Sequence, residues 1–253
     1  MTSSVDDLSG RYFDAAIERL RQVRDEESGA VRAAGSMLAD AVESGGRLWA
    51  YGAGHSALPA QDLVYRAGGL ALVNLLTVPG AAADVVPATL GSALERVEGL
   101  ASVVLRTNGI RAGDVVIVIS LSGRQTLPVE MARGARDLGA KVIGVTSVRY
   151  AAHTAPAHAS GTFLKDNCDL VIDNKIPLGD AELDLPDIAP APFAPASTVV
   201  ISAILQAVTA EASGALSARG IRPPVLRSGN VDGGLEWNDQ VFTEYADRIF
   251  YVR

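Results

Sequence analysis

The chain has 253 residues, of which 48% are hydrophobic, and it carries a formal net charge of −7 and one cysteine. This length and apolar content favour one large folded domain and exclude a wholly disordered chain. The chain is acidic and has no Lys- or Arg-rich runs, so it lacks the clustered positive charge that binds nucleic acid or an anionic membrane. The polar start argues against a signal peptide, no apolar run is expected to span a bilayer, and a single thiol fits a reducing cytoplasm.

The first 45 residues are predicted to be helical, because apolar side chains recur every three or four positions until Gly45-Gly46. Beyond that point, short apolar runs alternate with helical segments. Strands are predicted over 47–51, 70–76, 115–120, 141–146 and 170–173, and helices over 59–67, 127–138 and 197–218. The alternation predicts an α/β fold with a parallel, doubly wound sheet.

The remaining segments lack a clear period. Residues 78–100 are interpreted as loop and helix, and residues 147–169 and 174–196 as long connections, which are usually functional or interfacial. Residues 221–253 are interpreted as an irregular tail. The chain is accordingly divided into an N-terminal helical segment (1–45), a central domain (46–219) and a C-terminal tail (220–253).

Two strand-to-helix turns, at 52–56 and 120–126, combine glycines with hydroxyl side chains. In a parallel sheet both turns lie at the carboxyl edge, where ligands bind. Free N–H groups, the positive end of a helix and several hydroxyls together form a phosphate cradle, which is predicted at 120–123 above all. The predicted binding residues are Gly52, Gly54, Ser56, Ser120, Ser122, Gly123, Gln125 and Thr126.

A dinucleotide site is the alternative interpretation of the first turn, which reads Gly52-x-Gly54-x-x-Ala57. That interpretation requires an Asp or Glu about twenty residues later, at the end of the next strand. Residues 72–75 read Leu-Val-Asn-Leu and contain no acid, so no cofactor is predicted. Three histidines without close spacing to one another or to Cys168 argue against a metal site.

The segment 116–126, with the helix and the strand 141–146 that follow, resembles the sugar isomerase (SIS) domain over roughly residues 30–215. The family's Ser-x-Ser-Gly-x-Ser/Thr loop matches 120–123, but Gln125 stands at its last position and Thr126 follows. The Gly-His-Ser turn at 54–56 resembles one bacterial subgroup of these proteins. The resemblance implies a three-layer αβα sandwich around a five-stranded parallel sheet, a bound phosphosugar and a homodimer or homotetramer.

Phosphosugar isomerases remove a proton next to a carbonyl, which requires a carboxylate or an imidazole within reach. The candidates are His55 in the first turn, Asp62 in the following helix, Glu211 in the closing helix and Glu236 in the tail. For Asp62 and Glu211 the resemblance suggests the role, since relatives carry an essential Glu in comparable helices. The tail is predicted to fold over a site, either its own or a neighbour's.

The sequence therefore predicts a cytoplasmic enzyme acting on a hexose or N-acetylhexosamine phosphate by proton abstraction at C2. Isomerisation and elimination, by a lyase or dehydratase, both remain open. One alternative is a non-catalytic phosphosugar sensor, although no DNA-binding segment is evident. A second is a phosphoheptose isomerase, against which the absence of any histidine after residue 158 argues.

Overall fold

Five parallel strands form the centre of the protein in the computed structural model, which describes residues 7–185 and 189–252. The strands are β1 (Leu48–Gly52), β2 (Val73–Leu76), β3 (Val115–Ile119), β4 (Lys141–Thr146) and β5 (Leu170–Asp173). They pair in the order β2-β1-β3-β4-β5, and every pair is parallel. The chain runs outward from β1 to one side and from β3 to the other, so the sheet's direction of winding reverses between these two neighbours. Ligand sites lie at such a reversal, beyond the carboxyl ends of the strands.

Helices cover both faces of the sheet and give the three-layer αβα sandwich that the resemblance implied. They are α1 (Leu8–Glu26), α2 (Ser28–Glu43), α3 (Ala57–Asp62), α4 (Ala88–Leu94), α5 (Leu100–Thr107), α6 (Thr126–Asp137), α7 (Val148–His153), α8 (Ser197–Ala218) and α9 (Gly234–Glu244). A 3-10 helix at Leu164–Asn167 precedes β5.

The two faces of the sheet bury two separate apolar clusters, because side chains alternate across a strand. Leu48 and Ala50 face the cluster formed with α2 and α8, whereas Trp49 and Tyr51 face the one formed with α5 and α6. The five-residue run of β3 is buried throughout, as expected of a strand with helices on both sides.

The predicted strands and the helices over 127–138 and 197–218 are confirmed within a few residues. The helix predicted over 59–67 runs instead over α3 and ends at Asp62. Three helices were not predicted. They are α5, α7 and α9, the last of which begins after Gly233 with its φ of 71°. The prediction of a wholly irregular tail is therefore wrong.

The tail packs at the amino end of the sheet, opposite to the edge where ligands are expected. The Asn74 amide donates to the Arg248 carbonyl at 2.8 Å and its oxygen accepts the Phe250 N–H at 2.8 Å. The Phe250 ring stacks on Trp49 at a centroid distance of 5.4 Å. Asn74 and Trp49 are the second residues of their strands, so these contacts hold the tail away from the chain's own carboxyl edge.

Helix α8 is long and apolar enough to cross a membrane by length and composition, with a mean hydropathy of 1.6, so the expectation that no such run exists is wrong. Its residues Val200, Ile204, Leu205 and Val208 are buried in the cluster that covers the sheet. The core helix of a globular protein passes the same composition test.

Candidate functional site

A cavity of 330 Å³ opens at the carboxyl ends of β1 and β3, where the winding of the sheet reverses. Its walls come from both predicted turns and from five other segments. The lining residues are Ala53, Gly54, His55, Ser56, Ser92, Glu95, Ile119, Ser120, Leu121, Ser122, Pro128, Tyr150, Asp180 and Ser197. A larger depression of 530 Å³, near Arg133 and Lys141, lies at the amino end of β4 and contains neither turn. We therefore place the candidate site in the smaller cavity.

The first turn bends sharply because glycines allow the backbone to approach itself. A β-carbon at Gly52 would overlap the carbonyl oxygen of Ser56, so only glycine fits there. Gly54 has a φ of +53° and donates its N–H to the Ala81 carbonyl at 2.7 Å. The turn leaves the His55 side chain exposed at the cavity wall and the Ser56 side chain beside it.

The second turn directs hydroxyls and N–H groups into the same cavity. Gly123 has a φ of +60°, and its N–H donates to Ser120 Oγ at 3.2 Å. Within residues 7–185 and 189–252, the N–H groups of Leu121 and Ser122 have no hydrogen-bond partner. Two free N–H groups beside two hydroxyls can receive the oxygens of a bound anion.

The structure does not bring Gln125 or Thr126 to the cavity wall. Thr126 is 6% exposed at the first position of α6, and Gln125 precedes it with its side-chain oxygen buried. The Leu127 N–H donates to the Glu95 carbonyl at 3.0 Å, which occupies part of the helix N-terminus. The second turn thus faces the cavity through residues 120–122.

Glu95 is a cavity residue that sequence reasoning missed. It follows α4, and its carboxylate has no hydrogen-bond or ion-pair partner in the part of the chain that the structure describes. Burial raises the pKa of Glu95 above its ordinary value, and the Coulomb attraction of Arg96 opposes that rise. A β-carbon at Gly54 would lie 3.2 Å from Glu95 Oε1, which places this carboxylate against the first turn. An unpaired, partly buried carboxylate in a cavity is suited to acid–base chemistry.

Both long connections contribute to the cavity, as their length suggested. Tyr150 on α7 accepts the Gly179 N–H on its hydroxyl at 3.1 Å. Asp180 accepts the Ser197 N–H at 3.0 Å and the Ser197 hydroxyl at 2.6 Å, and thereby caps α8.

The structure places three of the four predicted acid–base residues outside the cavity of their own chain. Asp62 pairs with Arg66 and accepts a hydrogen bond from Gln206 at 3.1 Å. Glu211 is exposed on α8, fourteen residues beyond Ser197 and so about 21 Å along the helix. Glu236 is exposed on α9, next to Trp237, whose indole N–H donates to a carbonyl of the tail itself.

The electrostatics of the cavity are set by carboxylates and neutral donors. Within the described ranges, no Lys or Arg side chain lines it, so an anion there would be held by N–H groups, hydroxyls and His55. The described residues also hold no group of three His, Cys, Asp or Glu side chains able to bind a metal ion. Burial raises the pKa of the Cys168 thiol to about 12, which makes this cysteine a poor nucleophile.

Comparison with known proteins agrees with this architecture. A family profile described as SIS domain matches residues 11–147. A UPF0309 protein from Streptomyces coelicolor is 66% identical over 246 residues, which cover 97% of this chain and 98% of that protein.

Two solved structures share the fold at low identity. A phosphoheptose isomerase from Neisseria gonorrhoeae is 18% identical, with a TM-score of 0.53 over 85% of this chain and 100% of its own. The Vibrio vulnificus NanR protein complexed with ManNAc-6P is 14% identical, with a TM-score of 0.51 over 96% of this chain and 69% of its own. At these identities the likeness concerns the fold.

Proposed function

Because this chain belongs to the UPF0309 family and carries a SIS domain, we propose that it is a cytoplasmic enzyme acting on a hexose or N-acetylhexosamine phosphate. The supporting observation is that one cavity joins a phosphate-type turn with a carboxylate that has no partner among the described residues. The phosphate binds at 120–122, through the hydroxyls of Ser120 and Ser122 and the free N–H groups between them. The fold shared with a ManNAc-6P complex adds support for an amino-sugar phosphate.

Glu95 is the proposed base, in place of the acids that the sequence suggested. Burial raises the pKa of Glu95 toward neutral pH. A group that must both take up and release a proton works best when its pKa lies near the pH of the reaction. In the reaction, Glu95 takes the proton from C2, and His55 or Tyr150 polarises the sugar oxygen from the same cavity. Return of the proton at C1, together with transfer of the hydroxyl hydrogen from O2 to O1, completes the isomerisation.

Elimination is the second outcome of the same first step. Loss of the C2 proton with departure of the group at C3 forms a double bond, and the leaving oxygen takes up a proton. With an acetamido group at C2, the hydroxyl hydrogen that isomerisation must move is missing, so an N-acetylhexosamine phosphate is expected to eliminate. A hexose phosphate is expected to isomerise.

The test is incubation of the full chain with hexose, hexosamine, N-acetylhexosamine and heptose phosphates, with the products read by mass spectrometry and chromatography. A loss of water or of a C3 substituent indicates elimination, and a new sugar of unchanged mass indicates isomerisation. Thermal stabilisation by one sugar phosphate without turnover would instead make the protein a sensor. The absence of both turnover and stabilisation would refute the proposal.

The phosphate site is tested separately with the double variant Ser120→Ala/Ser122→Ala. Removal of two hydrogen bonds to a charged group is expected to weaken sugar-phosphate affinity about 100-fold. The matched control is Ser213→Ala, which removes a hydroxyl bonded to a carbonyl inside α8. Unchanged affinity in the double variant would contradict the assignment of the phosphate to this turn.

The protein is further proposed to act as a homodimer or homotetramer. Phe13 and Ile17 lie one turn apart on α1 and are 64% and 43% exposed, which is a large apolar area for a free surface. Since the tail does not reach its own cavity, Glu236 would act only at the site of a neighbour. Sedimentation of the wild type against Phe13→Ser/Ile17→Ser tests the assembly, and an unchanged mass would exclude this surface as the interface.

A further inference from the structure

The hydrogen bonds around Ser197 leave its hydroxyl able only to accept from a ligand. Ser197 lines the cavity at the first position of α8, and its Oγ donates to Asp180 Oδ2 at 2.6 Å. A carboxylate cannot return a proton, so the single hydrogen of this hydroxyl is committed while its lone pairs remain. Across residues 7–185 and 189–252, no N–H or O–H group donates to Ser197 Oγ. A ligand that bonds this oxygen must therefore present an N–H or an O–H group.

Asp180 is held at the cavity by hydrogen bonds and by an uncommon backbone conformation. Its Oδ1 accepts the N–H groups of Ala196 at 3.2 Å and of Ser197 at 3.0 Å. Its φ is +52° and that of the preceding Gly179 is +92°, so two consecutive residues lie in the left-handed region. The Gly179 N–H donates to the Tyr150 hydroxyl at 3.1 Å, which ties this turn to α7. A non-glycine residue in this region persists only where its surroundings fix it, and such residues cluster at binding sites.

No cation in the part of the chain that the structure describes neutralises the Asp180 carboxylate. Its partners are the two N–H groups and the Ser197 hydroxyl. Lys175, five residues earlier on the same connection, is engaged by three other carboxylates, those of Glu26, Glu27 and Asp173. The positive end of α8 offsets about half a unit of the Asp180 charge. This part of the cavity wall therefore keeps a negative potential.

Two carboxylates, those of Asp180 and Glu95, thus share a cavity of 330 Å³ whose described lining contains no Lys or Arg. The phosphate of a ligand has hydroxyls and free N–H groups to receive it at 120–122. A second anionic group in a cavity of this size would lie within about 10 Å of one carboxylate or the other, a distance over which salt screens charges only in part. It would therefore be repelled wherever it lies in the cavity.

We infer that the site selects sugar phosphates whose phosphate is the only anionic group. Asp180 and Glu95 reject a ligand with a second anion, and Ser197 accepts a hydrogen bond from a hydroxyl or an N–H group of the sugar. The inference rests on the proposed function, because it presupposes a phosphate bound at 120–122. For the elimination, it follows that the group leaving C3 is a neutral one, such as a hydroxyl that departs as water, and not an ether that carries a carboxylate.

The charge selectivity is tested by calorimetry with two derivatives of glucosamine 6-phosphate, the N-oxalyl and the N-oxamoyl compound. They differ only in a carboxylate against a carboxamide of the same size. The wild type is expected to bind the carboxamide about 100-fold more tightly, and Asp180→Asn is expected to reduce this preference about tenfold. Asp184→Asn is the matched control, because it removes the same charge from an exposed residue that does not line the cavity. Equal binding of the two compounds by the wild type, or an unchanged preference in Asp180→Asn, would overturn the inference.

A second measurement covers the case in which neither derivative enters the cavity or Asp180→Asn does not fold. Ser197→Ala is expected to weaken the binding of N-acetylglucosamine 6-phosphate about fivefold and to leave the affinity for inorganic phosphate unchanged. Ser213→Ala, which removes another hydroxyl from α8, is the control and is expected to change neither affinity. An unchanged sugar-phosphate affinity in Ser197→Ala, or an equal loss with inorganic phosphate, would overturn the role of Ser197.

The outcomes also separate this inference from the proposed function. If the wild type binds no sugar phosphate at all, the proposed function and the inference both fail. If it binds sugar phosphates but does not distinguish the carboxylate from the carboxamide, the proposed function stands and only the inference fails.

Discussion

The two ends of the sheet differ in how far the hydrogen-bonding capacity of their carboxylates is satisfied. At the amino end, the buried carboxylate of Asp114 accepts from the Arg47 guanidinium at 2.7 Å and from the Trp49 indole at 3.3 Å. It also accepts the backbone N–H groups of Arg47 and Arg111. At the carboxyl end, Glu95 lines a cavity, and its carboxylate has no partner within residues 7–185 and 189–252.

The contrast separates residues that hold the fold from residues that remain available to a ligand. A fully bonded polar cluster in a low-dielectric interior fixes one geometry, whereas unsatisfied groups in a cavity cost stability and need a reason outside folding. On this criterion the Arg47–Asp114 pair is structural. The free N–H groups of the second turn and Glu95 are functional candidates.

The largest expected effect is on turnover, and it tests the carboxyl end. Glu95→Gln keeps the shape of the side chain but cannot accept the C2 proton. We expect kcat to fall about 10²- to 10⁴-fold on the substrate that the panel identifies, with little change in KM. Glu211→Gln, on the exposed face of α8, is the control and is expected to retain turnover. A normal kcat in Glu95→Gln would show that Glu95 is not the base, and the carboxyl end of the sheet would lose its proposed functional role.

The next effect is on folding, and it tests the amino end. Asp114→Asn leaves the Arg47 charge buried without its partner and is expected to lower the free energy of unfolding by about 3 kcal/mol in urea. Asp62→Asn, which breaks the partly exposed pair with Arg66, is the control and is expected to cost no more than about 1 kcal/mol. Equal losses in the two variants would show that the buried pair has no special structural role.

The parts of the fold that local chemistry determines were predictable from sequence. The β-branched, apolar residues of β3 predict a buried strand. The positions of the two glycine turns follow from where the predicted strands end. The structure places residues 120–122 of the predicted turn at the cavity wall, and their role in phosphate binding stays a prediction. The predicted helix over 59–67 was too long because the periodicity does not show that the helix ends at Asp62.

The missed features depend on contacts between distant segments. Glu95 follows a seven-residue helix in an Ala- and Gly-rich stretch, where no period distinguishes a cavity residue from a solvated one. Asp180 reaches the site only because it caps α8, sixteen or more residues further along the chain. The position of the tail depends on Asn74, which bonds residues more than 170 positions away.

A smaller effect is expected on ligand binding, and it compares alanine substitution at a crowded glycine with substitution at an uncrowded one. Gly123 and Gly113 both have positive φ, at +60° and +90°, so alanine at either position is expected to cost about 1 to 3 kcal/mol of stability. A β-carbon at Gly123 would also approach Thr146 Oγ1 at 2.8 Å, whereas one at Gly113 meets nothing within 4 Å. Gly123→Ala is therefore expected to displace the N–H groups and hydroxyls of residues 120–122. We expect sugar-phosphate affinity, measured by calorimetry, to fall about tenfold. Equal binding by the two variants would show that the turn tolerates this displacement.

The smallest effect concerns the stability cost of the unpaired carboxylate. Burial raises the pKa of Glu95 in the folded chain, so the folded chain binds this proton more tightly than the unfolded chain. Stability then falls as pH rises from the ordinary carboxyl pKa through the raised one, and it stays lower above that window. Glu95→Gln is expected to stabilise the protein by a fraction of a kcal/mol in urea at about pH 7.5, and this gain is expected to vanish near about pH 4. The exposed neighbour Glu98→Gln is the control. A gain for Glu95→Gln that is the same at both pH values would mean that its charge carries no cost, and the carboxyl end would then resemble the amino end.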